Sequence, residues 1–264
     1  MNQLELKMVE HLKYLKTNFG VVEVKAEFEA EGSRLYELMR LKEVASLAGL
    51  GLVLKIGGAE AITDMFYAQS LGTSVVVAPM IESGYAMRKF LEAINKHFSE
   101  DLKKHTEFCA MIETFQGYKN TDEILGQKKG HLVDIISIGR VDMTGSLNIA
   151  KTDINCKKIF DIVHTIFKKV KAKKMRTTMG GGIAKEAIPF LSKLISEKLL
   201  DRYETRKIVF DTSKKNKNMQ EGIVEANRFE LMWLENKKNY YNTIATEDDL
   251  RLVMLQSRIP PKKA

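Results

Sequence analysis

Two acidic residues, Glu113 and Asp142, stand where this sequence could do chemistry. Each closes a run of strand-type residues: Cys109, Ala110, Met111 and Ile112 lead into Glu113, and Val133 to Ile138 lead through Gly139 into Asp142. No histidine or cysteine stands beside them, so a converging pair would be a hard-oxygen site suited to Mg²⁺ or Mn²⁺ rather than zinc. The structural alternative has Glu113 capping a helix start and Asp142 supporting a turn.

The elements around the pair decide whether it can converge. One helix is predicted between the strands, started by Asn120, Thr121 or Asp122, with Ile124 and Leu125 on its apolar side and Gly130 before the second strand. A strand, helix, strand unit of this length is parallel and right-handed, which brings both carboxylates to one end of a sheet. That end is where α/β enzymes keep their chemistry.

Other polar residues fall on predicted strands. After Val21, Val22 and Val24, the residues Lys25, Glu27 and Glu29 share one face of an extended chain because strand side chains alternate, and in a barrel that face is the lumen. The alternative ends the strand near Ala26 and leaves the acids on a loop. Lys55 closes the apolar strand Leu52 to Ile56, where an ammonium must reach water, an acid or a ligand. Lys55 or Lys25 could also serve as a Schiff-base amine if desolvation lowered its pKa. Gly57 and Gly58 then admit a close substrate or simply a turn. Farther on, Met175 to Met179, Gly180, Gly181 and Gly182 form a strand followed by a glycine-rich turn that could expose N–H groups to an anion, with Arg176 and Thr177 able to face the lumen. Glu82 either bonds at the rim of the site or complements the dipole of the helix that Ser83 begins.

Strands are expected at 21–26, 52–56, 74–78, 108–112, 133–138, 175–179 and 206–210, alternating with helices. The eighth lies near 199–204, in the tail near 243–246, or is absent. With no first-turn dinucleotide fingerprint, the count favours an α/β fold of the (β/α)8 TIM type, modified if the eighth strand is missing, with an N-terminal helix over 2–18 and a C-terminal helical extension. The 264 residues suit one barrel domain, 1–240, and an extension, 241–264, that could pack across a neighbouring subunit; helices are predicted at about 221–236 and 247–256.

The net charge of +8 sits in lysine-rich stretches at 168–174, at 214–217 and in the tail Pro260, Pro261, Lys262, Lys263. These read as solvated faces, and no basic stripe interleaved with aromatics points to nucleic acid. An anionic substrate fits the same charge. Two cysteines, Cys109 and Cys156, give no disulfide framework and suit a reducing cytoplasm. Neither an early apolar run with a cleavage site nor an apolar stretch of about eighteen residues is present, so neither secretion nor a membrane partner is expected.

The segment Met-Ile-Glu-Thr, followed after a helix by Asp-Ile-Ile-Ser-Ile-Gly-Arg-Val-Asp-Met-Thr-Gly-Ser-Leu, resembles the paired motif of the HpcH/HpaI aldolase and citrate lyase β-subunit family, whose second element reads approximately Ile-Gly-x-x-Asp-Leu-x-x-Ser-Leu. Val-Val-Val-Ala-Pro-Met-Ile-Glu-Ser at 75–83 is similar to another family strand. The resemblance spans roughly 21–215 and is most specific at 109–147. It implies a divalent metal on Glu113 and Asp142 that chelates a 2-oxo acid. Two features depart from the pattern: Lys55 stands where that family usually carries arginine, and Glu27 and Glu29 stand where its basic residue after the first strand is expected.

The expected protein is therefore a cytoplasmic, homo-oligomeric, Mg²⁺- or Mn²⁺-dependent aldolase acting through the enolate of a 2-oxo acid such as pyruvate, with an anionic or sugar-like aldehyde partner. Lys55, Glu27 and Lys25 are the catalytic candidates, and Gly139, Arg140, Val141, Gly57, Gly58, Gly181 and Gly182 the substrate-binding ones. The alternatives are an acyl or phosphoenolpyruvate-type lyase on the same site, and a non-catalytic anion-binding barrel that serves as an assembly subunit.

Overall fold

A computed structural model describes residues 1–259; the predicted basic tail at 260–263 lies outside the described residues. The chain opens with α1 (Gln3–Phe19), whose Met8, Leu12 and Leu15 are buried at the predicted helical spacing. Asn2 caps it by accepting from the Glu5 N–H, and Gly20 ends it in a left-handed conformation, φ +72°. There follow β1 (Val21–Glu27), α2 (Leu35–Leu47), β2 (Gly51–Lys55), α3 (Ile62–Leu71), β3 (Val75–Ala78), α4 (Gly84–His97), α5 (Glu100–His105) and β4 (Glu107–Met111). The second half comprises α6 (Phe115–Lys119), α7 (Thr121–Leu125), β5 (Ile135–Gly139), α8 (Arg140–Ser146), α9 (Lys157–Ala172), β6 (Arg176–Gly180), α10 (Ile188–Ser196), β7 (Arg202–Glu204), β8 (Ile208–Asp211) and α11 (Met219–Arg258).

The eight strands close into a barrel in sequence order. Outward residues such as Val24, Leu54, Val76 and Ile136 pack under the helices in the main core, while Val53, Val75, Val77, Cys109, Met111, Ile135 and Val209 form a smaller apolar cluster inside the barrel. Alternation along β1 places Val24 and Ala26 outward, and the intervening Glu23, Lys25 and Glu27 are buried on the lumen side. The lumen expectation therefore holds for Lys25 and Glu27 but not for Glu29, which lies past the end of β1 in an exposed turn. Thr177 departs from its own: its hydroxyl donates outward to the Leu199 carbonyl at 2.7 Å, and Thr178 borders the lumen instead.

The last two strands break the pattern. β7 supplies the eighth strand within the expected 199–204 window and runs parallel to β6, but β8 is antiparallel to both β7 and β1. Only Thr205, Arg206 and Lys207 separate β7 from β8, too few for a crossover, so the chain turns back as a hairpin with Thr205 N–H donating to Ile208 O at 2.9 Å. This reversal brings Arg206 and Lys207 to the end of the barrel where the parallel strands finish. Asp211 lies at the opposite end.

Three helix expectations are corrected. The segment between β4 and β5 holds two short helices, broken at Asn120, and a 3-10 turn at Gly130–Leu132, rather than one helix. The glycine-rich turn after β6, from which the sequence predicts a helix at about Ala184, leads instead into a 3-10 turn at Lys185–Ala187 before α10 begins. The two helices expected near 221–236 and 247–256 are one, because α11 is continuous. At 1.5 Å per residue it is about 60 Å long, roughly twice the height of a barrel. Its first half buries Ile223, Ala226, Phe229 and Trp233. Tyr241 then donates to the Glu37 carboxylate at the start of α2, and beyond that point Leu250, Leu252, Val253 and Leu255 are exposed.

Candidate active site

The C-terminal ends of the parallel strands gather most of the charged candidates. Lys25 reaches across the lumen to Glu204 Oε1 at 2.5 Å and to Glu27 Oε1 at 3.0 Å. Burial works to lower its pKa, but the Glu204 and Glu27 carboxylates outweigh burial and raise it. Lys55, paired with Glu27 in the β1–β2 register, lies 2.9 Å from Glu29 Oε2 and 3.6 Å from Glu113 Oε2. Here too burial is overcome, chiefly by Glu113 and Glu29, and the pKa is raised. A Schiff-base lysine needs the opposite shift, so the geometry favours neither residue for that role.

Glu113 is 1% exposed at the end of β4. Its Oε1 accepts the Met80 N–H at 3.0 Å; Met80 holds a left-handed φ of +52°, uncommon for a non-glycine residue. Burial pushes the Glu113 pKa up to about 7, against the influence of Lys55 and the Met80 amide, and the nearby carboxylates of Asp142 and Glu29 push in the same direction. Gly139 makes the arrangement possible: a methyl group there would stand 2.5 Å from Glu113 Oε2. Asp142 is exposed in the first turn of α8, immediately beyond that glycine.

A buried carboxyl group whose ionisation is resisted by its surroundings, beside a second carboxylate, suits a divalent cation. Among the described residues no group of three His, Cys, Asp or Glu side chains could hold an ion unaided. Glu113 and Asp142 would supply the protein's share of the oxygens for a Mg²⁺ that takes the rest from substrate and water, the usual economy of magnesium sites. The donor set therefore fits the ion that the sequence implies.

The Arg140 side chain is wholly buried away from solvent, so any part this residue has in ligand binding falls to its backbone N–H. The guanidinium donates to the carbonyls of Gly181 (3.1 and 2.8 Å) and Gly182 (3.1 Å) and to Asn155 Oδ1 (2.7 Å), and stacks over Phe190. It fastens the turn after β6 to the start of α8. Gly181 and Gly182 both have positive φ, and a methyl group on Gly181 would stand 2.8 and 2.9 Å from the Val141 and Arg140 amide nitrogens. Gly181 thus gives these two amides their space. Gly57 is committed, its N–H donating to Asp64 at 2.7 Å, whereas a methyl group on Gly58 would meet nothing within 4 Å. Glu82 accepts from the Thr114 hydroxyl at 2.5 Å and so ties the β3 loop to the end of β4, more than a dipole contact alone.

Sequence reasoning missed Glu204, Arg206 and Lys207. Lys207 Nζ bonds Glu31 at 2.5 Å, and Arg206 reaches the same carboxylate at 3.8 Å. Burial lowers the Lys207 pKa against the pull of Glu31. Their only signal was the three-residue gap before β8.

The sequence model of the HpcH/HpaI aldolase/citrate lyase family matches residues 52–179, a stretch that includes Lys55, Glu113 and Asp142. That match supports a lyase-type enzyme. No curated protein sequence matches the chain. Similar solved structures include a citrate synthase, SbnG, at 14% identity and TM-score 0.61 over 92% of this chain and 89% of that one. An HpcH/HpaI aldolase from Desulfitobacterium hafniense DCB-2 is similar at 14% identity and TM-score 0.61, covering 75% of this chain and 81% of its own. An HpcH/HpaI aldolase/citrate lyase family protein from Burkholderia cenocepacia J2315 follows at 13% and 0.58, covering 75% and 82%. At these identities the structural likeness is one of fold. Among the described residues no helix is long and apolar enough to cross a membrane.

Proposed function

We propose that this chain, a member of the HpcH/HpaI aldolase/citrate lyase family through residues 52–179, is a divalent-metal-dependent carbon–carbon lyase of the aldolase type acting on a 2-oxo acid such as pyruvate. The observation that carries the reading is the buried Glu113 carboxyl, set between Lys55 and the turn that bears Asp142. Glu113 and Asp142 would hold Mg²⁺ or Mn²⁺, which when bound supplies Lewis-acid stabilisation of charge on the substrate carbonyl.

The protein's own groups do the rest. Lys55, kept protonated by its acidic neighbours, offsets negative charge developing on the enolate oxygen. The Arg140 and Val141 amides, spaced by Gly181, bind the substrate carboxylate, while the Arg140 side chain holds that turn in position. Glu27 and Glu29 flank Lys55 and are candidates for moving the proton, with Lys25 fixing Glu27. The charged mouth, with Arg206 and Lys207, suits an anionic or sugar-like aldehyde.

Proton NMR of pyruvate in D₂O tests the reading: the methyl signal should fade with protein plus Mg²⁺ or Mn²⁺ and persist with EDTA. Exchange that ignores EDTA would defeat the metal role. Lys55→Met should slow the exchange by about a hundredfold or more, with Lys55→Arg retaining part of it. An unchanged rate would remove Lys55 from the chemistry.

The reading also includes a cytoplasmic homo-oligomer, with 1–240 as the barrel domain and 241–264 as an extension whose described part, 241–259, contacts another copy. The two free cysteines are in keeping with that compartment, and the exposed Leu250, Leu252, Val253 and Leu255 with that contact. Sedimentation should give a mass of two or more chains, falling when these leucines and Val253 are replaced by serine; a monomer at micromolar concentration would contradict it.

A further inference from the structure

A second charged concavity lies at the other end of the barrel. It is a cavity of about 690 Å³ bordered by the segments that precede β5 and β6, so the full length of those strands separates it from Glu113 and Asp142. Lys129, His131, Lys173, Lys174 and Arg176 line it, against one acid, Asp134. Arg176 is committed to Glu107 at 2.5 Å, and Asp134 accepts the Phe108 N–H at 2.9 Å. The side chains of Lys129, His131, Lys173 and Lys174 make no ion pair within 4.0 Å with any described residue. Met87, Leu125 and Val133 border the same cavity but are buried, which leaves the half-buried Met175 as its accessible apolar side chain.

Lys129, His131, Lys173 and Lys174 are exposed. Lys173 and Lys174 complement the C-terminal end of the α9 dipole, but that does not account for Lys129 and His131, which belong to a different segment across the cavity.

We infer that this cavity binds a small diphosphate-bearing molecule, a nucleoside diphosphate being the representative case. The volume lies within the range of small-ligand sites. Lysine ammonium groups bind phosphate oxygens as point charges. The site is independent of the aldolase chemistry and of the metal.

Calorimetric titration with ADP in EDTA-containing buffer of low ionic strength tests it. Saturable binding of one ADP per chain is expected, weakened at least about tenfold in Lys173→Glu/Lys174→Glu and kept in Lys173→Arg/Lys174→Arg. Lys55→Met should bind ADP as the wild type does. No saturable binding would overturn the inference, as would affinity unchanged by the double Glu variant, or affinity lost in Lys55→Met.

Discussion

Glu113→Gln and Asp142→Asn should each lower metal-dependent pyruvate exchange by about a thousandfold, the equivalent of roughly 4 kcal/mol of barrier. Each substitution keeps the shape of the side chain and removes the charge that would hold the ion. Glu113→Gln should also change stability, with a sign fixed by its environment. The folded, metal-free protein holds the Glu113 pKa at about 7, above the ordinary 4.5. Between those values the folded state keeps a proton that the unfolded state has lost, so this group's contribution falls as pH rises through that window. The loss is complete above pH 7 and amounts to as much as roughly 3 kcal/mol. In EDTA the variant should therefore gain on the wild type between pH 5 and pH 8, and added Mn²⁺ should stabilise the wild type alone. Thermal unfolding across that range reads both effects. A variant that loses ground to the wild type with rising pH would mean that the Glu113 carboxylate is already compensated and has no need of an ion.

Lys25→Met should cost about 3–5 kcal/mol of folding free energy, the largest structural effect expected from a single change here. Lys25 lies between Glu204 and Glu27, all three buried, and its removal leaves two carboxylates in the lumen without the cation that pairs them. Adding Glu204→Gln to Lys25→Met should recover at least about 1 kcal/mol, because one of the stranded charges is then gone. Denaturant titration of the two single variants and the double variant gives the coupling. A loss below about 1 kcal/mol for Lys25→Met would show that water enters the lumen and screens these groups. Lys25 would then be free for a direct part in proton transfer rather than the positioning of Glu27.

The placing of Glu113 and Asp142 at one end of adjacent parallel strands was legible because a strand, helix, strand unit leaves little choice of hand or direction, even though its helix proved to be two. The lumen position of Lys25 and Glu27 followed from period-two alternation alone. The reversed β8 was not legible: β7 is three residues long, and Thr205-Arg206-Lys207 carries none of the Gly, Asn or Asp signals of a tight hairpin. With it went Glu204, Arg206 and Lys207, whose places at the mouth depend on that turn. The burial of the Arg140 side chain was not legible for another reason. Arginine is rarely fully buried, and only the folded Gly181–Gly182 turn supplies carbonyls to receive its guanidinium. The continuity of α11 could have been read, since neither glycine nor proline occurs between Gly222 and Pro260.

The most direct test of the metal site is a crystal structure with Mn²⁺ and oxalate, an analogue of the pyruvate enolate, using the anomalous signal of the ion. The account predicts one Mn²⁺ bonded to an oxygen of Glu113 and an oxygen of Asp142, chelated by oxalate, with Lys55 Nζ in contact with the oxalate. Mn²⁺ bound elsewhere, or oxalate seated on Lys55 with no ion between Glu113 and Asp142, would contradict it.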